Sequence, residues 1–115
     1  MASNRIKRIS EEVRKVVSSM LINGIKDPRI TSMISVTDVK VTNDLRYAFV
    51  YISILGGDRE ASLEGLNSAR GYIRREVGRK VKLRYAPEIV FKIDDSIERG
   101  MYMDELIKSV NKDEE

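Results

Sequence analysis

The sequence predicts an α+β fold in which helices pack on one face of a three-stranded sheet. Apolar residues recur at steps of three and four in some segments, as in amphipathic helices, and alternate with polar residues in others, as in strands. In chain order the segments read helix, strand, strand, helix, helix, strand and helix. Burying all of these apolar stripes together requires the helices to lie against the sheet. We find no internal repeat or linker, so we expect residues 1–115 to form one domain.

The first helix and the first strand have clear signals. The apolar residues between Ile6 and Leu21 have helical spacing, and Gly24 stands where a left-handed residue ends a helix. From Ile34 to Val41 the side chains alternate, and the alternation slips by one position at Asp38. Such a slip predicts a strand with a bulge.

The second strand is expected over Arg46–Leu55, after a turn at Asn43-Asp44, and pairs with the first strand as an antiparallel hairpin. Both of its faces are apolar, which is typical of a central strand. One face carries the aromatic residues Tyr47, Phe49 and Tyr51. An aromatic sheet surface is one way to bind RNA, but we expect helices to cover this face as part of the core.

The next segment keeps helical spacing from Leu63 to Leu83, but it contains three glycines. Because each glycine costs about 1 kcal/mol relative to alanine inside a helix, we expect two helices with a break near Gly71. Ala86-Pro87 ends the second of them, and Glu88–Ile93 alternates as a third strand.

The C-terminal part predicts a last amphipathic helix over residues 97–110 and a short, frayed acidic tail from about residue 111. Asp95 and Glu98 form a pair that resembles a capping box at its start. Asp94 and Asp95 could instead hold Mg²⁺ for phosphodiester cleavage. No third ligand or base accompanies them, so we expect helix capping and neither a metal nor a cofactor.

Several classes of protein are excluded by composition. The chain has no cysteine and no histidine, which removes disulfides, thiolate metal sites and the commonest general base. No apolar run approaches the roughly 18 residues of a membrane span, and no signal peptide is visible at Met1. We therefore expect a cytoplasmic, monomeric protein that is not an enzyme and has no membrane partner.

Positive charge is concentrated in one segment. Residues 70–84 contain seven basic residues and one acidic residue, whereas the whole chain has a net charge of only +3. Local concentration of this kind is the pattern expected of a surface that binds phosphates, although a solvated helix face is the alternative. On a helix the apolar residues would anchor one side, and Arg75, Arg79 and Lys82 would form the opposite ridge. The predicted RNA-binding residues are Arg70, Arg74, Arg75, Arg79, Lys80, Lys82 and Arg84, with Arg5, Lys7 and Arg8 in a secondary cluster.

Two residues beside the predicted break have alternative interpretations. Gly71 either allows a plain break or close helix contact, or forms a kink that shapes the RNA-facing surface. Tyr72 either packs against the sheet, as we expect, or stacks on an unpaired base.

The order helix, strand, strand, helix, helix, strand resembles the type II KH fold, whose members grip nucleic acid with a Gly-x-x-Gly loop between two helices. Here Ala69-Arg70-Gly71 stands at that junction and predicts a helix–kink–helix. Together with the surrounding residues it resembles the ribosome-binding factor A family, over roughly Arg5 to Val110. The segments that carry the resemblance are residues 27–29, 44–53, 69–78, 83–91 and 94–96 with Gly100.

The resemblance implies a type II KH-like fold with an additional C-terminal helix, and a function in assembly. It implies binding to the free small ribosomal subunit, maturation of the ends of its RNA, and support of growth in the cold. Some family members carry a basic C-terminal tail, whereas this sequence ends in Asp113-Glu114-Glu115. Two alternatives remain: an adaptor that meets an acidic ribosomal protein or an assembly GTPase, and a metal-dependent ribonuclease at Asp94 and Asp95.

Overall fold

The structure is a computed structural model that describes residues 4–94. Its elements are α1 (Asn4–Asn23), β1 (Met33–Val41), β2 (Tyr47–Leu55), α2 (Arg59–Ser68), α3 (Arg70–Val81) and β3 (Glu88–Ile93). The predicted α+β class, with three strands in this order, is confirmed. The predicted helix over residues 97–110 and the acidic tail lie outside the described residues. Within residues 4–94, no helix is both long enough and apolar enough to cross a bilayer.

The strands form one sheet in the order β1-β2-β3. β1 and β2 are antiparallel, and β2 and β3 are parallel. The register between β1 and β2 shifts between Val36 and Asp38. This is the bulge that the slipped alternation predicted. Beyond β2, Asp58 caps α2, since its carboxylate accepts a hydrogen bond from the backbone N–H of Ala61 at 3.1 Å.

The core lies between the helices and one face of the sheet. α1 contributes Ile9, Val13 and Val17, and α3 contributes Ile73 and Val77, all of them buried. Facing them on β2 are the buried side chains of Ala48, Val50, Ile52 and Ile54. Because side chains alternate along a strand, the intervening residues of β2 lie on the other face of the sheet.

The aromatic residues of β2 lie on that other face, which corrects the expectation that helices cover them. Tyr47 is 41% exposed, and neither Phe49 nor Tyr51 belongs to the core cluster. Lysines lie over two of the rings instead, with Lys92 Nζ 5.2 Å from the centroid of Phe49 and Lys40 Nζ 5.6 Å from that of Tyr51. Periodicity identified correctly which residues share a face, but it could not tell which face the helices occupy.

The loop between α1 and β1 is fastened to α2 by buried polar contacts. The hydroxyl oxygen of Ser62 is fully buried and accepts hydrogen bonds from the backbone N–H groups of Thr31 and Ser32, both at 3.1 Å. At Gly65 a Cβ atom would lie 2.8 Å from the Ile30 side chain, so only glycine allows this approach of the loop.

Asp27 and Arg29 form a second connection between the same loop and α2. The Arg29 guanidinium donates to both carboxylate oxygens of Asp27, at 3.0 and 2.7 Å, and to the hydroxyl of Ser68 at 2.8 Å. The hydrogen bonds from Arg29 lower the pKa of Asp27 from 3.8 to about 2. The sequence predicts that Asp27 orders a turn and offers Arg29 as a phosphate contact, and the structure shows both residues holding the loop against α2.

Candidate nucleic-acid interface

The helical segment is interrupted at Ala69, which lies between α2 and α3 with φ −88° and ψ 0°. The Arg70 Nε donates to the carbonyl oxygen of Asn67 at 3.2 Å, so this predicted RNA contact also satisfies a terminal carbonyl of α2. A Cβ atom at Gly71 would meet no atom within 4 Å, so a close helix contact does not require glycine there. Tyr72 is 52% exposed, and the expectation that it packs against the sheet is wrong.

α3 packs against the core through its apolar side. Burial of Ile73 and Val77 in the core leaves the basic side chains of α3 on the surface. We call them the α3 basic ridge, which consists of Arg70, Arg74, Arg75, Arg79 and Lys80, all of them exposed.

The charge of the α3 basic ridge is partly balanced by Glu76. Arg79 Nη2 lies 2.8 Å from Glu76 Oε2, and Lys80 Nζ lies 4.0 Å from the same oxygen. The hydrogen bond from Arg79 lowers the pKa of Glu76, which is therefore ionised at neutral pH. Within residues 4–94, the side chain of Arg75 makes neither a hydrogen bond nor an ion pair, so its guanidinium is available to a ligand.

The ridge predicted from the sequence requires α3 to include Lys82, but the helix ends one residue earlier. Val81 is its last residue, and Lys82 adopts a left-handed backbone with φ 56° while its N–H bonds to the carbonyl of Gly78. Lys82 therefore does not continue the row formed by Arg75 and Arg79, because the chain turns away from the helix at this point.

The chain after α3 folds back against the helix. Arg74 Nε donates to the carbonyl oxygen of Ala86 at 3.1 Å. A Cβ atom at Gly78 would lie 2.9 Å from the Cβ of Ala86, so the close approach requires glycine at this position. The N–H of Glu88 then bonds to the carbonyl of Arg46 at 2.7 Å, which brings the loop after α3 beside the turn between β1 and β2.

A cavity of about 540 Å³ lies between these two loops and the start of α1. We call it the basic cleft. Its lining includes five cationic side chains, two carboxylates and two tyrosines. These are Arg5, Arg46, Arg74, Lys82 and Arg84, then Asp44 and Glu88, and finally Tyr47 and Tyr85.

The basic cleft brings together residues that are distant in sequence. Arg5, from the predicted secondary cluster, lies beside Lys82 and Arg84 from the predicted principal cluster. Lys7 and Arg8 are exposed on α1 and do not line the cleft. Arg46, Tyr47 and Tyr85 were not predicted as site residues. Tyr85 carried a signal that could have found it, since an aromatic residue stands beside the last arginine of the basic segment.

The alternative prediction of a metal site used Asp94 and Asp95, and only Asp94 lies in the described region. Asp94 Oδ2 accepts a hydrogen bond from the Thr37 hydroxyl at 2.8 Å, whereas Asp95 lies outside the described residues. Between residues 4 and 94, no group of three or more acidic side chains gathers to form a metal site.

Fold and surface together define a small α+β protein with an exposed basic helix and an adjoining cationic cleft. The family model of ribosome-binding factor A matches residues 5–107, and this chain belongs to that family. The family predicted from the sequence is thereby confirmed.

Relatives cover nearly the whole chain. A Clostridioides difficile (strain 630) ribosome-binding factor A is 77% identical over 113 residues, which is 97% of this chain and 90% of that protein. A Clostridium botulinum (strain Hall) ribosome-binding factor A is 56% identical over 116 residues, covering 99% of this chain and 97% of that protein.

Solved structures show the same fold. The solution structure of a Thermotoga maritima protein is 32% identical with a TM-score of 0.68, covering 85% of this chain and 93% of that one. The crystal structure of Thermus thermophilus ribosome-binding factor A has a TM-score of 0.67 at 19% identity, with coverages of 76% and 93%. A homology model of Thermus thermophilus ribosome-binding factor A, fitted into a cryo-EM map of its complex with 30S, has a TM-score of 0.63 at 20% identity, with coverages of 76% and 93%.

Proposed function

We propose that this protein is a non-catalytic, RNA-binding assembly factor of the small ribosomal subunit. It binds the free subunit and promotes maturation of its RNA, including processing of the RNA ends, and it supports growth in the cold. Family membership supports the ribosomal target, as does the fitting of a Thermus thermophilus relative into a 30S complex. The protein works in the cytoplasm as a monomer and needs no cofactor.

The observation that carries the RNA-binding part is the continuity of exposed positive charge. The helix that carries the α3 basic ridge is 12 residues long, or about 18 Å at 1.5 Å per residue, and its Arg74 is also one of the five cations of the basic cleft. Arginine predominates in both, and its planar guanidinium can pair with phosphate through two hydrogen bonds. A polyanion that follows this surface meets successive cations.

We further assign the α2–α3 junction to the position of the Gly-x-x-Gly loop in a type II KH-like domain. Ala69-Arg70-Gly71 then replaces the loop with a kink. The interruption of the helix at Ala69 supports this assignment. The kink sets the direction of α3, and so the direction of its basic ridge relative to the subunit.

Salt dependence of binding to immature small subunits tests the proposal. For a protein that neutralises phosphates, the logarithm of the affinity falls linearly with the logarithm of salt concentration, with a slope of about −0.7 to −0.9 per phosphate contact. We expect co-sedimentation of the full chain with subunits to weaken steeply as salt rises. A nearly flat salt dependence would contradict RNA binding through the basic surface.

Digestion of the RNA separates this proposal from the adaptor alternative. An acidic ribosomal protein or assembly GTPase would also be attracted to the α3 basic ridge. If the protein binds RNA, nuclease treatment of the particle releases it. Retention on the residual proteins after complete digestion would favour an adaptor.

A further inference from the structure

The structure points to a more specific use of the basic cleft. We infer that the cleft holds a single unpaired nucleotide of the RNA, with its base stacked on a tyrosine and its phosphate bound by the cations. This inference rests on the proposed function, since it names the part of the RNA that this region of the surface recognises.

The size of the cavity suits one nucleotide. A volume of about 540 Å³ lies in the range of roughly 300–1,000 Å³ that is typical of small-molecule pockets, and it is large enough for one nucleotide. The surface of the α3 helix is convex. The cleft is concave, so it can enclose a base as well as contact the backbone of the RNA.

Two aromatic side chains are exposed at the cleft. Tyr85 is 74% exposed and Tyr47 is 41% exposed, so part of each side chain is open to solvent at the cleft. The guanidinium carbon of Arg84 lies 5.6 Å from the centroid of the Tyr85 ring. An exposed ring flanked by arginine is the combination that binds unstacked bases, through stacking and cation–π contacts.

Glu88 places a carboxylate among the cations of the cleft. A carboxylate repels phosphate, so a cleft that bound only the RNA backbone would gain nothing from Glu88. Asp44 is engaged within its own turn, where Oδ1 accepts from the Thr42 hydroxyl and the Arg46 N–H. Within residues 4–94, the Glu88 carboxylate makes no hydrogen bond or ion pair. It can therefore accept hydrogen bonds from the amino or imino group of a base.

Residues with a left-handed backbone lie on two walls of the cleft. Leu45 has φ 61° and Lys82 has φ 56°, and in the described part of the chain they are the only non-glycine residues with positive φ. Leu45 lies in the turn between β1 and β2, and Lys82 ends α3, so the two are independent in sequence. Strained backbone of this kind concentrates at binding sites, where the surrounding fold holds it in place.

Two RNAs of equal length and charge separate base capture from phosphate binding. One is a perfect duplex, and the other is a hairpin whose loop contains unpaired nucleotides. Affinities of the full-length protein are measured by fluorescence anisotropy at fixed salt. We expect the Tyr85→Leu variant to lose about 5- to 150-fold in affinity for the hairpin, which corresponds to one base stack, and to bind the duplex as the unaltered protein does.

The control is Tyr51→Leu, because Tyr51 is a tyrosine that does not line the cleft. It is expected to leave both affinities unchanged. Circular dichroism checks that each variant is folded. Loss of affinity for both RNAs in Tyr85→Leu, or for neither, would overturn the inference about the cleft.

Failure of the proposed function would look different. Suppose that the unaltered protein binds immature subunits and both RNAs, but Tyr85→Leu leaves the ratio of its affinities for hairpin and duplex unchanged. Only the nucleotide site is then wrong. If the unaltered protein binds no RNA and remains on nuclease-treated particles, the proposed RNA-binding function itself is wrong.

Discussion

Arg74 and Ala86 are joined by a hydrogen bond of 3.1 Å, from the guanidinium Nε to the backbone carbonyl oxygen. A residue expected from sequence to contact RNA thus also holds the loop that carries Tyr85. Arg74 is also one of the residues that line the basic cleft. Arg74 therefore connects the α3 basic ridge with the wall of the cleft.

The first prediction concerns this dual role. Arg74→Lys keeps the positive charge but loses the planar Nε donor, so we expect the free energy of unfolding to fall by about 1 kcal/mol. Urea unfolding measures the change. Arg75→Lys is the matched control, because Arg75 has no such hydrogen bond within residues 4–94 and should be neutral. Equal stability of the two variants would show that the bond to Ala86 contributes nothing.

Ser62→Ala tests the buried contacts between α2 and the loop before β1. The substitution leaves the N–H groups of Thr31 and Ser32 without their acceptor, and unfolding should become easier by about 1–3 kcal/mol. Ser18→Ala serves as the control, because Ser18 makes no side-chain hydrogen bond in the described region and alanine favours the helix. A Ser62→Ala protein as stable as the control would mean that water replaces the hydroxyl at no cost.

Acid sensitivity follows from the pKa of Asp27, which Arg29 lowers to about 2. A carboxylate whose pKa is lower in the folded than in the unfolded state stabilises the fold above the unfolded value, here 3.8. That contribution is lost as the pH falls from about 4 to about 2. We expect the unfolding free energy to drop more steeply over this interval in the unaltered protein than in Asp27→Asn. Parallel pH profiles would argue against the Asp27–Arg29 pair as a source of stability.

Two glycines of α3 should respond oppositely to alanine. At Gly71 the added Cβ meets nothing, so Gly71→Ala should stabilise the protein by up to about 1 kcal/mol. At Gly78 it would lie 2.9 Å from the Cβ of Ala86. We expect Gly78→Ala to be destabilising, since overpacking of about 1–3 kcal/mol outweighs the gain in helix propensity. Thermal unfolding of both variants compares them, and a stabilised Gly78→Ala protein would mean that the loop moves away without cost.

The order of the elements and the bulge near Asp38 could be predicted because both follow from the local spacing of apolar residues. The glycines of the segment from Leu63 to Leu83 predicted a division into two helices near Gly71, and α2 and α3 are divided at Ala69. Periodicity also grouped Tyr47 with Phe49, but it assigned them to the wrong environment, since nothing local tells which face of a sheet is covered.

Only the part of the candidate site that lies within one helix could be predicted from the sequence. The α3 basic ridge follows from the composition of one helix. The basic cleft depends on the return of the chain after Gly78 and on the position of α1, which bring Arg5 and Arg46 to Tyr85. These are tertiary contacts, and no spacing along the sequence encodes them.

We propose that the exposed arginines of α3 bind the RNA of the small subunit. Co-sedimentation of Arg75→Glu/Arg79→Glu with immature subunits tests this binding. Loss of the exposed Arg79–Glu76 pair should change stability little. The matched control is Lys40→Glu/Lys92→Glu, which makes the same change in net charge on the opposite sheet face. We predict that the arginine double variant stays folded and no longer sediments with subunits, while the lysine double variant still does. An arginine double variant that sediments as the unaltered protein does would contradict the claim.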